Sequence, residues 1–164
     1  DGTMAELQRQ GAAVLVPHPG FLSVSLGLEE LRTYRETIDA IEVYNPKYLP
    51  HHARRARQFA EKTGLSTFAS SYAHLSGTIG EAWVHFEEPV DDAATLTEAL
   101  QAGTPRHLNH PQGVSHTLRC GLEFAHLGYE NSWEKFDRVM LQGTAPTHPD
   151  HVAYGGAFDD VKVY

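Results

Sequence analysis

Three segments of the chain each read as a buried strand that stops at a polar residue. They are residues 11–18 (Gly-Ala-Ala-Val-Leu-Val-Pro-His), 40–45 (Ala-Ile-Glu-Val-Tyr-Asn) and 66–74 (Ser-Thr-Phe-Ala-Ser-Ser-Tyr-Ala-His). Helix-like stretches separate them. In a β/α repeat the carboxyl ends of successive strands converge on one face, and chemistry is done there. The pattern therefore predicts an α/β fold that gathers His18, Asn45, Tyr72 and His74 into one neighbourhood.

Local signals set the boundaries. Residues 3–10 read as a helix closed by Gly11. Pro17, Pro19 and Gly20 force a loop around His18. Residues 28–38 read as a helix with Leu28, Leu31 and Ile38 near one face. Pro46 keeps Asn45 out of helical angles and ends the second strand. A helix over 49–63 carries Ala53, Ala56, Phe59 and Ala60 as its apolar stripe and is closed by Gly64. Arg54, Arg55 and Arg57 lie mostly off that stripe and read as a solvated face.

The remainder changes character. Residues 81–87 alternate as a half-buried strand with His85 on the polar side. Asp91 or Asp92 can cap a helix carrying Leu96, Ala99 and Leu100, which ends at Gly103. Residues 106–109 read as a short strand and 114–127 as a helix. Asn131, with Glu134 three residues on, reads as the cap of a further helix bearing Trp133, Phe136, Val139 and Met140. From Gln142 the chain is expected to be irregular, ending in a short strand over 161–164.

Composition narrows the function classes. The chain has 164 residues, enough for one domain with a sizeable core. No apolar run approaches the roughly 18–20 residues that span a bilayer, and no signal peptide is visible. The chain starts at Asp1 with its first methionine at Met4, as expected of a processed or trimmed protein. Net charge is −8, with four lysines and nine arginines against 21 acids, which argues against general binding to nucleic acid. The single cysteine, Cys120, excludes an internal disulfide and any multi-cysteine zinc site, and reads as a small buried apolar residue. A reducing cytoplasm is the expected compartment.

The segment from Gly11 to Pro105 resembles the carboxyl-terminal half of the polymerase and histidinol phosphatase (PHP) domain. The matching features are the Gly-Ala-x-x-x-x-Pro-His-Pro run, the strand Ile41-Glu42-Val43-Tyr44-Asn45, and Ser70-Ser71-Tyr72-Ala73-His74 followed by Gly77-Thr78-Ile79-Gly80. The tail from Arg106 looks similar to extensions on halophilic archaeal relatives. The resemblance implies a distorted (β/α)7 barrel. Residues 1–105 would be its carboxyl-terminal half and 106–164 a helical and irregular extension packed on the same domain. It implies hydrolysis of a phosphate ester by metal-activated water, with two or three divalent ions (Zn, Mn or Fe) in the complete site. His18 and His74 are carried over as metal ligands, with Asn45 and Tyr72 facing substrate.

Two departures separate the chain from that pattern. The family's upstream metal motifs are absent, since only ten residues precede Gly11, and a β/α barrel takes about 200 residues or more. Its last-motif aspartate is Tyr72 here, a bulkier group whose unperturbed pKa of about 10 keeps it protonated and a poor ligand. The alternative is thus a degenerate PHP-like domain that binds or supports without catalysis. A reading independent of any family is an open α/β layer that takes a small anion at helix N-termini. The expected partner is a small phosphorylated substrate rather than nucleic acid, with no membrane. A homo-oligomer or a further segment is expected to cover the open sheet edge. The remaining histidines invite over-reading. Adjacent His51 and His52 are expected to point different ways. The pairs His107/His110 and His148/His151 sit among prolines that argue against a helix able to present both rings together.

Overall fold

The computed structural model describes residues 2–21 and 25–136. The order is α1 (Gly2–Arg9), β1 (Leu15–Val16), α2 (Leu28–Thr33), β2 (Ala40–Tyr44), α3 (Pro50–Thr63), β3 (Ser66–Ala69), β4 (Trp83–Phe86), α4 (Ala93–Gln101), β5 (Arg106–Asn109) and α5 (Val114–Phe136). The chain divides into two compact units, residues 1–121 and 122–164. The five described strands lie in the first.

The fold is mixed α/β. β1, β2 and β3 form a parallel sheet in that order, and β4 and β5 form a separate antiparallel ribbon. The expected barrel is corrected by this topology, because no closed barrel is found among the described residues. The three parallel strands are those read from the apolar runs, but they are shorter. Leu15–Val16 replaces 11–18 and Ser66–Ala69 replaces 66–74. Ladder pairing needs a partner strand, and the polar ends that the sequence reading counted as strand run on as loops. The helix expected over 28–38 stops at Thr33 and continues as a 3-10 turn, Arg35–Thr37. The two helices expected over 114–127 and after Asn131 are one continuous helix to Phe136. The readings at Val139 and Met140, from Gln142 onward, at His148 and His151 and over 161–164 lie outside the described residues.

The core sits between the parallel sheet and its crossover helices. Val16, Ile41 and Val43 from the strands meet Leu31, Ile38, Ala56, Ala60 and Leu65. Fully burying a Leu or Ile is worth roughly 1.5–3 kcal/mol, and Leu31 and Ile41 have no exposure at all. The small residues Ala56 and Ala60 let α3 lie close against this core. Gly64, in the left-handed conformation at φ 68°, closes α3 as read from the sequence. Asp92, not Asp91, caps α4 by accepting from the Thr95 N–H at 2.8 Å.

One glycine fixes the loop after β1. Gly20 has φ +71°, and a Cβ there would meet the Phe59 ring at 2.8 Å. Only glycine allows the loop to lie this tightly on α3. Arg55, read as part of a solvated face, is exposed and also donates from Nη1 to the Gly20 carbonyl at 3.1 Å. The loop that carries His18 is therefore tied to the helix that follows β2.

Candidate functional site

The carboxyl ends of β1, β2 and β3 are tied together by one buried carboxylate. Glu42 is 1% exposed. Its Oε2 accepts from the His18 backbone N–H at 2.9 Å, Asn45 Nδ2 at 2.8 Å and the Tyr48 hydroxyl at 3.2 Å, and its Oε1 from the Ser70 hydroxyl at 2.5 Å. Four donors from three strand ends and the start of α3 satisfy the carboxylate, as a buried charge requires. The Tyr48 phenol is pushed well up, first by burial and then by the Glu42 charge, so it remains a donor. The register between β2 and β3 shifts between Glu42 and Tyr44. Such irregularities re-aim side chains beside functional sites.

His18 and Tyr72 emerge from that frame in an unusual backbone state. Among the described residues they are the two non-glycine residues with positive φ, at 35° and 46°. The left-handed region costs a bulky residue about 1–3 kcal/mol. The two rings meet edge-on with centroids 5.9 Å apart, and Tyr72 also contacts His74 at 5.4 Å. His18 is half-buried, and its Nδ1 is sealed from solvent without a hydrogen-bond partner. Lys47 donates from Nζ to the Tyr72 carbonyl at 2.7 Å and places its charge 4.1 Å from the centre of the Tyr72 ring. The geometry thus brings His18, Tyr72 and His74 into one cluster, with a cation beside it.

Asn45, expected to face substrate, is 2% exposed and has both ends of its amide engaged. Nδ2 donates to Glu42, and Oδ1 accepts from the Lys47 N–H at 3.0 Å. Its place is to turn the chain out of β2. His51 and His52 do not diverge as expected, since their rings lie 3.9 Å apart. His52 also packs on Phe21 at 4.9 Å. Burial, then the neighbouring charges of His51 and Arg55, hold it below the usual histidine range. His107 pairs with Glu87 at 3.2 Å while His110 stacks on Tyr44 at 4.3 Å, so that pair is split.

A second polar group was missed by the sequence reading. Glu81, 3% exposed, bonds His116 Nδ1 through Oε2 and accepts from Arg119 Nε at 2.9 Å through Oε1. The carboxylate assigns the ring proton to Nδ1. Nε2 then faces the Tyr44 hydroxyl at 3.4 Å and Cys120 Sγ at 3.5 Å. Cys120 is therefore not the small apolar filler expected from its leucine neighbours. The i, i+4 spacing of His116 and Cys120 on a predicted helix was the available signal.

With this geometry in place, residues 50–105 match a family model described as PHP-associated. This stretch is similar to a PHP-associated region. It runs from the start of α3 to the residue before β5, and it contains Tyr72, His74 and Glu81 but not His18, Glu42 or His116. The match supports the resemblance read from the motifs over residues 50–105, while the likeness to halophilic archaeal relatives is not part of it. Neither a curated protein nor a solved structure matches the chain. No helix among the described residues is long and apolar enough to cross a membrane.

Proposed function

We propose that His18, Tyr72 and His74 belong to the strand-end site of a PHP-type phosphoesterase, with the two imidazoles as metal ligands. The observation that carries this reading is the strained pair. His18 and Tyr72 hold left-handed backbones at the ends of two strands, and their rings touch. Strain of this kind persists only where the surroundings over-determine it, and it clusters at functional sites. The sealed, unpartnered Nδ1 of His18 and the Lys47 cation beside Tyr72 suit a site for a metal and a phosphate.

The donors of the described residues do not by themselves fit a metal centre. Among the described residues no group of three or more His, Cys, Asp or Glu side chains is placed to hold an ion. Structural zinc takes four ligands and catalytic zinc three plus water. The proposed centre needs further ligands beyond these two imidazoles. A net charge of −8 favours a small phosphorylated substrate over nucleic acid. β1 lies at one edge of the described sheet, beside a cavity of about 510 Å³ lined in part by Met4, Leu7, Leu15 and His18. A further segment or a second copy is proposed to cover it.

The test is release of phosphate from p-nitrophenyl phosphate by the native gene product supplied with Mn²⁺ or Zn²⁺. Activity lost in both His18→Ala and His74→Ala is the expected result, and activity unchanged in both overturns the reading. Tyr72 favours a second reading, a non-catalytic relative, because a phenol stands where the family pattern has a carboxylate. Tyr72→Asp separates the two. A gain in metal affinity of about tenfold or more, the scale on which ligand surroundings act, identifies the tyrosine as the lesion. No gain removes the support for that reading.

A further inference from the structure

Apart from the strand-end cluster, one group of side chains holds the parts of an activated nucleophile. Cys120 is half-buried, and its sulfur lies 3.5 Å from Nε2 and 3.7 Å from Nδ1 of His116. His116 is oriented by Glu81, which Arg119 holds in turn. Nucleophile, base and orienting carboxylate are the three elements of thiol activation. We propose that Cys120 is a reactive thiol whose modifier is a hydroperoxide, which converts it to a sulfenic acid. This inference is independent of the phosphoesterase reading.

The nearly equal distances to both ring nitrogens set the sulfur against the imidazole rather than in line with one nitrogen. Coupling is therefore through charge: a thiolate beside an imidazolium. The thiol proton moves to Nε2, and the resulting set of Glu81 carboxylate, Arg119 guanidinium, thiolate and imidazolium sums to zero charge. The Tyr44 hydroxyl, 3.4 Å from Nε2, can accept the new N–H. Tyr44 remains protonated, because burial, then the charges of Cys120 and Glu81, raise it against the opposing pull of Arg57. His110, stacked 5.7 Å from the His116 ring, opposes the imidazolium when it is itself protonated.

In the modification, the thiolate attacks one peroxide oxygen. The S–O bond forms as the O–O bond breaks, and sulfur loses two electrons to the peroxide. The leaving oxygen takes the proton held at Nε2 and departs as water or an alcohol. Sulfenic acid is the first, reversible rung of thiol oxidation.

The chain has one cysteine, so thiol labelling reports on Cys120 alone. The experiment is the rate of iodoacetamide alkylation of the full chain against pH, followed by hydrogen peroxide treatment with dimedone trapping and intact-mass analysis. The expected wild-type midpoint lies below about 7, against about 8.5 for an ordinary thiol. His116→Gln is expected to return the midpoint to the ordinary range and to slow labelling at acid pH about tenfold, following the thiolate fraction. A wild-type midpoint at or above the ordinary value overturns the proposal, as does a profile that His116→Gln leaves unchanged. If His116→Gln fails to fold by circular dichroism, the wild-type midpoint decides alone. A dimedone adduct supports the hydroperoxide assignment, and its absence overturns it.

Discussion

Two buried carboxylates organise this molecule in opposite ways. Glu42 is surrounded by neutral donors: a backbone N–H, an amide and two hydroxyls. Glu81 is held by groups that carry or can take a charge, His116 and Arg119. Neutral donors have no protonation state to change near neutral pH, so Glu42 sets geometry and holds the ends of three strands in place. A histidine partner offers two ring nitrogens, so Glu81 sets the proton position on the His116 ring, which faces the thiol beyond it. Equal burial thus supports a scaffold in one place and a reactive group in the other.

The comparison predicts unequal costs. Glu42→Ala strands four neutral donors in the interior and is expected to lower unfolding stability by about 3–5 kcal/mol, since each buried group left without a partner costs about 1–3 kcal/mol. Glu81→Ala leaves Arg119 half-exposed, with its side chain 48% accessible, so water can replace the lost bond. A smaller loss, about 1–3 kcal/mol, is expected there. Urea denaturation of both variants checks the order, and a larger loss at Glu81 would break the distinction drawn above.

A smaller effect isolates the strain at His18. Glycine takes positive φ without penalty, whereas alanine does not. His18→Gly is therefore expected to be about 1 kcal/mol more stable than His18→Ala, again by urea denaturation. Equal stabilities would remove the strain from the argument.

The smallest effect concerns His52, whose folded-state pKa lies below its unfolded value. Between the two values the unfolded chain binds more protons, so stability rises with pH through that window and is lowest below both. Thermal melts from about pH 5 to 8, spanning the unperturbed histidine pKa of about 6.5, should show a shallow rise that His52→Gln flattens. A fall in stability over the same range would contradict the assigned direction.

Much of the parallel sheet was legible because apolar runs bounded by Pro17, Asn45 and Gly64 are local signals. The ends of β1 and β3 were not, because strand length depends on which partner is present to pair with. Strand-end logic put His18, Tyr72 and His74 in one neighbourhood, and the Tyr72 ring does contact both imidazoles. Asn45 was misread because its neighbour Glu42, 1% exposed, could not be known to need its amide. Lys47 left no sequence mark, since its cation reaches Tyr72 across 25 residues. The Glu81 group joins a position before β4 to one on α5, and such long-range pairing has no periodic signature.

Anomalous scattering from crystals soaked with Mn²⁺ or Zn²⁺ tests the central proposal most directly. A metal peak shared by His18 and His74, with Tyr72 beside it, is the predicted result. A peak bound elsewhere, or none at either imidazole, would contradict the assignment of these two histidines to a metal site.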